Sequence, residues 1–462
     1  MRDPRTLRFF ATLFLGLLLC QSGRSSAQES AATTPHVVET TPTLNQCGVS
    51  PDLSTIEVRF DRPMARGSWS WCGGGTHYPE LSGKPFYRDD FTCVLPVKLR
   101  PQTTYFLGVN CPSGQHFRSA DGVPAEALQL AFITGSGTTN VMARMDNYKS
   151  WEALTSQFTA IYSYYERTGT DWKKVFNEVM PCVMESPSVE EFVMRAVMVL
   201  GNADDPHLAM KMPDGTRIRT HKHFGFYNAN QKVIESTFPG MKKNNDLVWS
   251  AKRDDIGYIA VHGWDNQKQF MDAIDPIMAD MTASTHCLIV DVRGNGGGVE
   301  NEGMKLAGWF LDHDVMYAKN RYRDKSSADG WTPMRERWVR ANPPAKRFHG
   351  KVFMLQGSVC LSSNEAFIEM MNQSPLVTSI GATTGGSSAN PRSYDLPNGA
   401  KIVLPRWESY SVDSVLLEGR GIPAKIPIDG DFMNADPVLE KAMDLAADDI
   451  KSKGVTTEST DK

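Results

Sequence analysis

The segment 351–369, KVFMLQGSVCLSSNEAFIE, constrains the fold of this 462-residue chain more than any other part of it. Residues 352–355 form an apolar run typical of a buried strand, and Gly357 and Ser358 indicate a turn directly after it. Apolar residues then recur at the spacing of one helix face: Ala366, Phe367, Met370 and Met371. A buried strand that turns into an amphipathic helix predicts an α/β unit.

Two serines, Ser362 and Ser363, stand where that helix is expected to begin. The first backbone N–H groups of a helix have no partner within it, and together with the helix dipole they favour negative charge. A serine there is a candidate nucleophile beside a ready-made anion site. The structural alternative is that Ser362 or Ser363 only caps the helix.

In the second half of the chain, patterns typical of buried strands alternate with patterns typical of amphipathic helices. Strands are predicted at residues 256–262, 287–292, 352–355 and 401–404, and helices at 270–281 and 302–310. Alternating strands and helices imply an α/β core with a largely parallel sheet. Residues 204–447 are assigned to this core, and the polar residues 448–462 are expected to form a frayed tail.

The first part of the chain has a different character. Residues 36–135 contain short alternating strands separated by Gly, Pro and Asn, which predicts a small antiparallel β-sandwich. The runs TTPTLNQCGVSPDLSTIEVRFDRPM, LRPQTTYFLGV and LAFITG resemble the bacterial Ig-like domains of exported proteins. Residues 135–139 form a linker, and residues 141–203 show aromatic and apolar residues at helical spacing, which predicts a helical subdomain.

The N-terminus has the pattern of a cleaved export signal over residues 1–27. Arg2, Arg5 and Arg8 precede an apolar run at 9–20, and small residues follow at 25–27. That run is too short for a comfortable membrane span, and no later stretch is long and apolar enough to be one. We therefore expect a periplasmic or extracellular protein without a transmembrane segment.

Charge and cysteine content narrow the classes of partner and cofactor. The net charge of −4, without a long basic stretch, argues against nucleic acid as a partner. No spacing resembles a zinc site, so no metal or cofactor is expected. Four cysteines crowd into the first quarter, where an oxidising compartment would allow one or two disulfides with the pairing left open: Cys47, Cys72, Cys93 and Cys111. The other three are expected to be buried thiols: Cys182, Cys287 and Cys360.

Three further stretches could carry chemistry together with the serine pair. The run RGNGGG follows the buried strand 287–292 but lacks the pattern of a P-loop or a dinucleotide fingerprint. It is either a simple turn or a source of exposed N–H groups for an oxyanion. His207 follows the turn Asp205-Pro206, and Glu418 lies in LEGRGIP. Taken alone, His207 has a structural interpretation and Glu418 that of a solvated or paired surface carboxylate.

Taken in order, these motifs resemble one family. A helical subdomain, D-x-H-L, IVDVRGNGGG, GSVCLSSNEAF and E-G-x-G-I-x-P are similar to the tail-specific (C-terminal processing) serine peptidases over residues 142–447. The wider clan includes the tricorn protease core and the interphotoreceptor retinoid-binding protein. The resemblance implies a multidomain chain in which the helical subdomain precedes a crotonase/Clp-protease-like α/β core.

The resemblance also implies roles for individual residues. Ser362 matches the nucleophile, and the oxyanion hole would use the N–H of Ser363 with that of Gly296 or Gly297. The lysine of the bacterial Ser/Lys dyad is absent, since the matching stretch reads GGSS at 385–388.

The tricorn-like branch instead uses a histidine and a glutamate, which here are His207 and Glu418. That branch places a relay serine before the histidine, where this chain has Pro206. Glu418 would then reach His207 directly or through water. A PDZ domain of ordinary length does not fit between Leu208 and Asp254.

The resulting hypothesis is an exported serine endopeptidase without a cofactor. It would cut peptide or protein substrates through an acyl-enzyme on Ser362, with His207 as base and Glu418 as orienting carboxylate. The alternative is a non-catalytic ligand- or peptide-binding protein on the same fold. A third interpretation gives the Ig-like module the main role, as an adhesion or scaffold domain. Oligomeric state stays open.

Overall fold

The computed structural model describes residues 34–454, except 112, 136, 138, 140, 221–224, 266 and 431. The predicted signal peptide at 1–27 lies outside the described residues, as does the end of the predicted tail from residue 455. Among the helices of the described part, none combines the length and the apolar character needed to cross a bilayer.

The N-terminal region is a β-sandwich of two sheets, as predicted. One sheet has the order β1-β3-β7-β5 with β6 also on β7, and the other has the order β2-β9-β8-β4. The pairing of β2 with β9 is parallel, which the predicted antiparallel sandwich did not include. The nine strands are β1 (Val37–Thr41), β2 (Gln46–Val49), β3 (Thr55–Phe60), β4 (Trp71–Cys72), β5 (Glu80–Leu81), β6 (Phe86–Tyr87), β7 (Thr92–Lys98), β8 (Thr104–Val109) and β9 (Leu128–Thr134).

Strands in this sandwich alternate inward and outward residues because one sheet face is buried and the other is solvated. In β3, Ile56, Val58 and Phe60 are buried in the apolar core between the sheets. One disulfide joins Cys72 to Cys111, within the predicted group of four cysteines. Cys47 and Cys93 are free thiols.

Three helices follow the sandwich: α1 (Val141–Ile161), α2 (Trp172–Met184) and α3 (Val189–Leu200). Each of the last two begins at a residue that accepts a backbone hydrogen bond, Asp171 from Lys174 N–H at 3.0 Å and Ser188 from Glu191 N–H at 3.2 Å. Such caps satisfy N–H groups that have no partner within the helix. The aromatic stripe predicted at this position packs in a shared core, in which Phe158 contacts Trp172 and Phe176.

The α/β core contains a seven-stranded sheet of order β12-β13-β14-β15-β18-β19-β23. From β14 onward the neighbours are parallel, which confirms the largely parallel sheet. Its strands are β12 (Lys242–Lys243), β13 (Val248–Arg253), β14 (Ile256–Val261), β15 (Cys287–Asp291), β18 (Lys351–Gln356), β19 (Val377–Gly381) and β23 (Ile426–Pro427).

Helices cover both faces of this sheet. They are α4 (Gln231–Thr237), α5 (Gln267–Ser284), α6 (Glu300–Ala307), α7 (Ser363–Asn372) and α8 (Pro437–Ser452). The central strand β15 serves both layers, since Leu288 and Val290 pack in the cluster of α5, α6 and α7 while Ile289 packs with α4 and α8. This two-sided burial explains why β15 is apolar at nearly every position.

Two small antiparallel sheets complete the core. One has the order β11-β10-β21-β20 and the other β17-β16-β22. The strand predicted at 401–404 is found as β21, but it belongs to the first of these sheets and not to the parallel one. The strands are β10 (Ala209–Lys211), β11 (Arg217–Arg219), β16 (Val315–Tyr322), β17 (Arg335–Val339), β20 (Arg392–Asp395), β21 (Lys401–Leu404) and β22 (Trp407–Ser411).

The tail predicted from residue 448 needs correction, because α8 continues to Ser452. Its apolar side, which includes Ala446 and Ile450, is buried against the sheet. Packing of this face extends the helix through residues whose polarity alone suggested a frayed end.

Candidate active site

Ser362 lies between β18 and α7, as the strand–turn–helix pattern predicts. Its backbone has φ 58° and ψ −127°, a conformation that non-glycine residues rarely adopt. Its N–H donates to the carbonyl of Ser387 at 2.7 Å and to the carboxyl of Glu365 at 3.2 Å. The surrounding hydrogen bonds therefore hold the backbone of Ser362 in a strained turn, a feature that is common where a side chain is presented for chemistry.

Glu365 connects this turn to the segment 384–388. Its carboxyl group is buried and accepts hydrogen bonds from Gly386 N–H at 2.8 Å and Ser387 N–H at 2.9 Å, and from the Thr384 hydroxyl. Burial raises the pKa of Glu365 to about 7, although the hydrogen bonds from these donors act in the opposite direction. Ser362 also caps helix α7, as the structural alternative predicted. Glu365 completes this capping box by accepting a hydrogen bond from the Ser362 N–H.

The glycine loop that follows β15 lies directly against Ser362. Gly297 has φ +108°, and a Cβ on it would stand 2.7 Å from Ser362 Cβ and 2.9 Å from Leu361 O. Only glycine permits so close an approach. The N–H of Gly297 donates to Asn295 Oδ1 at 2.9 Å, so this predicted oxyanion donor is already engaged within the loop. The other predicted donors are Gly296 N–H, on an exposed residue, and Ser363 N–H in the first turn of α7.

A buried ion triad fixes the base of the glycine loop. Arg293 donates through Nη2 to Asp291 Oδ2 and through Nη1 to Asp436 Oδ1, both at 2.7 Å. Tyr258 donates to the same Asp291 oxygen at 2.8 Å. Asp436 in turn caps α8 by accepting from Leu439 N–H at 3.0 Å. The arginine of the RGNGGG motif therefore joins the loop to the C-terminal helix, a role that the motif did not reveal.

His207 lies just before β10 and is nearly buried, with 9% of its surface exposed. Asp205 holds its backbone, since Oδ1 accepts from His207 N–H at 2.8 Å. The ring nitrogen Nδ1 lies 2.7 Å from Ser387 Oγ. When Nδ1 carries the hydrogen and donates it to Ser387, the other ring nitrogen, Nε2, is left to accept a proton.

Glu418 is buried beside the same segment, and its Oε2 accepts a hydrogen bond from Ser388 N–H at 3.0 Å. Burial, and after it the nearby Asp205 carboxylate, raise the pKa of Glu418 well above the ordinary range. Glu418 therefore carries less negative charge near neutral pH than a glutamate in water. Glu418 thus contacts Ser388, the residue directly after Ser387, which is the partner of His207.

One cavity of about 720 Å³ joins these parts, and its walls include Ser362, Ser363, His207, Gly296 and Gly297. The segments that carry them are far apart in the sequence, so the fold assembles the cleft from the turn before α7, the glycine loop and the turn before β10.

Two residues of the site were not assigned from the sequence. Ser387 stands in the stretch compared with the dyad lysine, and only its contact with His207 indicates a role. His262 also lines the cleft, directly after β14, and burial lowers its pKa. A histidine at the carboxyl end of a predicted strand was the available signal for His262.

Among the described residues, one group has the ligand types of a metal site: His286, Cys287 and Asp449. It lies at the start of β15, while the glycine loop follows the other end of this strand. The carboxylate of Asp449 is already paired with Lys453 Nζ at 3.1 Å and His286 Nε2 at 3.2 Å. The group is thus held together by contacts among its own side chains and Lys453.

The comparisons with known proteins agree with this architecture. Residues 255–428 match the sequence profile of peptidase family S41. No curated protein matches the sequence. The chain therefore contains a domain of the tail-specific protease family, and proteins of this class are serine-type peptidases that act on peptides or proteins.

Solved structures show the same fold. A protein from Parabacteroides merdae ATCC 43184, whose proposed activity is that of a peptidase, has a TM-score of 0.56 at 21% identity, covering 66% of this chain and 96% of that one. Mature CPAF has a TM-score of 0.52 at 9% identity, covering 69% and 99%. Mature CPAF complexed with lactacystin has a TM-score of 0.51 at 10% identity, covering 68% and 100%. At these identities the likeness concerns the fold alone.

Proposed function

We propose that this protein is an exported serine endopeptidase that works through an acyl-enzyme on Ser362. The observation that carries the proposal is the double contact of Ser387. Its hydroxyl lies 2.7 Å from His207 Nδ1, while its carbonyl accepts the Ser362 N–H at 2.7 Å. One residue therefore positions both the proposed base and the proposed nucleophile.

In the first step, Ser362 Oγ attacks the substrate carbonyl carbon while its proton passes to Nε2 of His207. Negative charge then develops on the carbonyl oxygen, where the N–H groups of Ser363 and Gly296 are the proposed donors. Gly297 N–H would contribute only after leaving Asn295 Oδ1. Collapse of the intermediate breaks the C–N bond, and His207 returns the proton to the leaving amine. Water then releases the acyl group by the same route.

Ser387 takes the orienting role at His207 Nδ1 that the resemblance assigned to Glu418, which in the tricorn-like branch acts through a relay serine preceding the histidine. In this chain that preceding residue is Pro206, which has no hydroxyl group. Glu418 accepts a hydrogen bond from the neighbouring Ser388 N–H and so supports the segment that carries Ser387. The proposal thus keeps Ser362, His207 and Glu418 and adds Ser387 as a positioning residue.

The test is hydrolysis of casein by the mature chain and by single variants. Ser362→Ala should lower kcat by about 10⁴-fold or more, because the acyl-enzyme can no longer form. His207→Ala should do the same, and His262→Ala, which removes the other cleft histidine, should have a much smaller effect. A serine-reactive fluorophosphonate should label Ser362. Retained hydrolysis by Ser362→Ala would contradict the proposal.

Export is proposed from the N-terminal pattern, and the Cys72–Cys111 disulfide supports an oxidising compartment. N-terminal sequencing of the protein from fractionated cells tests it. A mature chain that starts near residue 28 in the exported fraction is expected. An intact N-terminus in the cytosolic fraction would contradict it.

A further inference from the structure

A second cavity, of about 800 Å³, adjoins the catalytic cleft. We call it the sandwich groove. One wall belongs to the β-sandwich, from Cys72 to His77 and around Leu128, and the other includes Met194 of α3 and Phe226. Arg219 lines both the sandwich groove and the cleft that contains Ser362. The groove is thus an extension of the cleft, formed between the N-terminal domain and the rest of the chain.

The sandwich wall exposes backbone to the groove. Cys72 ends β4, the last strand of its sheet, and the exposed glycines Gly73, Gly74 and Gly75 follow it. A terminal strand offers backbone N–H and C=O groups on its open side, and glycines leave them uncovered. The disulfide to Cys111, which also lines the groove, ties this wall to the chain after β8. This wall is suited to an extended polypeptide.

Two arginines lie at the junction between the groove and the cleft. Arg217 and Arg219 alternate on the short strand β11, both exposed. Burial, and then the charge of Arg219, lower the pKa of Arg217, whereas the Asp205 carboxylate acts in the opposite direction. Arg217 donates to the carbonyl of His207 at 3.1 Å. In the part of the chain that the structure describes, no carboxylate lies within ion-pair distance of Arg219, so a ligand carboxylate would have a ready partner there.

The phenylalanine of the opposite wall is linked to the nucleophile turn. The carbonyl of Phe226 accepts a hydrogen bond from Ser358 Oγ at 3.0 Å, and Phe226, which is 64% exposed, lines the groove. An exposed aromatic ring beside an apolar groove is typical of a binding surface. Occupation of the groove would therefore contact the chain four residues before Ser362.

We propose that the sandwich groove binds an extended, apolar segment of the polypeptide substrate, with a carboxylate of that segment paired to Arg219. This inference rests on the proposed peptidase function and deepens it, because it defines the substrate class as chains with an apolar stretch next to an acidic group. The β-sandwich then serves as half of a substrate-binding site. The carboxylate is either an Asp or Glu side chain or the chain's C-terminus.

The test measures binding without hydrolysis, so that failure of the groove and failure of catalysis can be told apart. The Ser362→Ala protein is titrated, by fluorescence anisotropy, against a labelled peptide of Leu, Val and Phe followed by Glu at a free C-terminus. Three matched forms replace Glu by Gln, amidate the C-terminus, or do both.

Two variants in the Ser362→Ala background probe the groove. Gly74→Trp fills it at a position where an added Cβ meets no atom within 4 Å, and Arg219→Gln removes the charge. Each should weaken binding about tenfold or more. The control is Arg392→Gln, on the opposite edge strand of the same sheet as Arg219, which should bind like the parent. Thermal melting checks that each variant is folded. If Gly74→Trp does not fold, Arg219→Gln alone still tests the proposal.

The outcomes separate cleanly. Loss of affinity on replacing Glu alone identifies a side-chain carboxylate, and loss on amidation alone identifies the C-terminus; both support the proposal. Equal affinity of all four peptides would overturn the proposal. So would parental affinity in folded Gly74→Trp and Arg219→Gln, which is also the result expected if another segment of this chain fills the groove. Weakened binding by both variants in a protein that never hydrolyses peptides would uphold the groove and reject the peptidase.

Discussion

The β-sandwich and the α/β core are ordered by different forces. Between the sheets of the sandwich lies a core of apolar side chains, and a disulfide between Cys72 and Cys111 adds a covalent tie. The α/β core has apolar layers too, but it also buries Asp291, Arg293 and Asp436 completely or nearly so. Burial of apolar side chains stabilises a fold without requiring exact distances between atoms. Buried charges cost desolvation free energy and are tolerated only when their hydrogen-bond geometry is correct, so they fix the positions of the segments that carry them. Polar order thus appears where a loop must be positioned for chemistry.

The largest effect is expected from breaking the buried triad. Arg293→Met leaves two buried carboxylates without their cation and should lower the free energy of unfolding by about 3–5 kcal/mol. The matched variant Asp291→Asn/Arg293→Met/Asp436→Asn removes all three charges and should recover part of this loss. Urea unfolding measures both. A loss below about 1 kcal/mol for Arg293→Met would show that the buried charges contribute little to the stability of the α/β core.

The next effect concerns the polar contact that serves chemistry instead of stability. Ser387→Ala removes the partner of His207 Nδ1, and kcat should fall about 10²–10³-fold because the imidazole loses its tautomer and orientation. KM and the melting temperature should change little. Ser387→Thr keeps the hydroxyl and should restore much of the rate. A melting temperature that falls together with kcat would instead assign Ser387 a structural role.

A smaller effect is expected in the sandwich. Replacing Cys72 and Cys111 together by Ser removes a link across 39 residues and should cost about 2–4 kcal/mol of sandwich stability. In limited proteolysis at rising temperature, the double variant should be cleaved within the sandwich, N-terminal to residue 135, at a lower temperature than the parent. The parent under reducing conditions is the control and should behave like the variant. Equal resistance in all three would mean that the apolar core alone holds the sandwich.

The smallest effect comes from an unpaired acid in the α/β core. Glu302 is buried, and neither carboxyl oxygen has a hydrogen-bond partner among the described residues. Burial, and then the Asp265 charge, raise its pKa to about 7. Between its ordinary pKa, near 4.5, and 7 the folded protein holds a proton that the unfolded chain has lost, so stability falls as pH rises through this window.

Glu302→Gln removes this titration. The unfolding free energy of the variant minus that of the parent should therefore grow between pH 4.5 and 7 by up to about 3 kcal/mol, then level off. Urea unfolding at a series of pH values measures the difference. Glu440→Gln, at an exposed site on α8, is the control for the Glu-to-Gln change itself. A flat profile for Glu302→Gln would show that this carboxyl is effectively solvated.

The local sequence pattern was sufficient to predict the strands and helices that bury an apolar face. The strand predicted at 352–355 is β18, the helix at 270–281 is α5, and the run of short strands at 36–135 is a two-sheet sandwich. Ser362 follows β18 at the start of α7 for the same reason, since a strand, a turn and an amphipathic helix are neighbours along the chain. The individual strands and helices depend on near neighbours along the chain, whereas the pairing of strands in the sandwich, such as Gln46 of β2 with Phe132 of β9, does not.

Only the tertiary structure decided the contacts of the site. Ser387 meets His207 across 180 positions, and Arg293 meets Asp436 across 143. Such contacts follow from the order of strands in the sheets, and no local periodicity encodes that order. The sequence alone thus determined which residue types were available and where the turn with Ser362 would form. The packing of distant segments decided which serine faces the histidine, because each hydrogen bond depends on distances that only the folded chain sets.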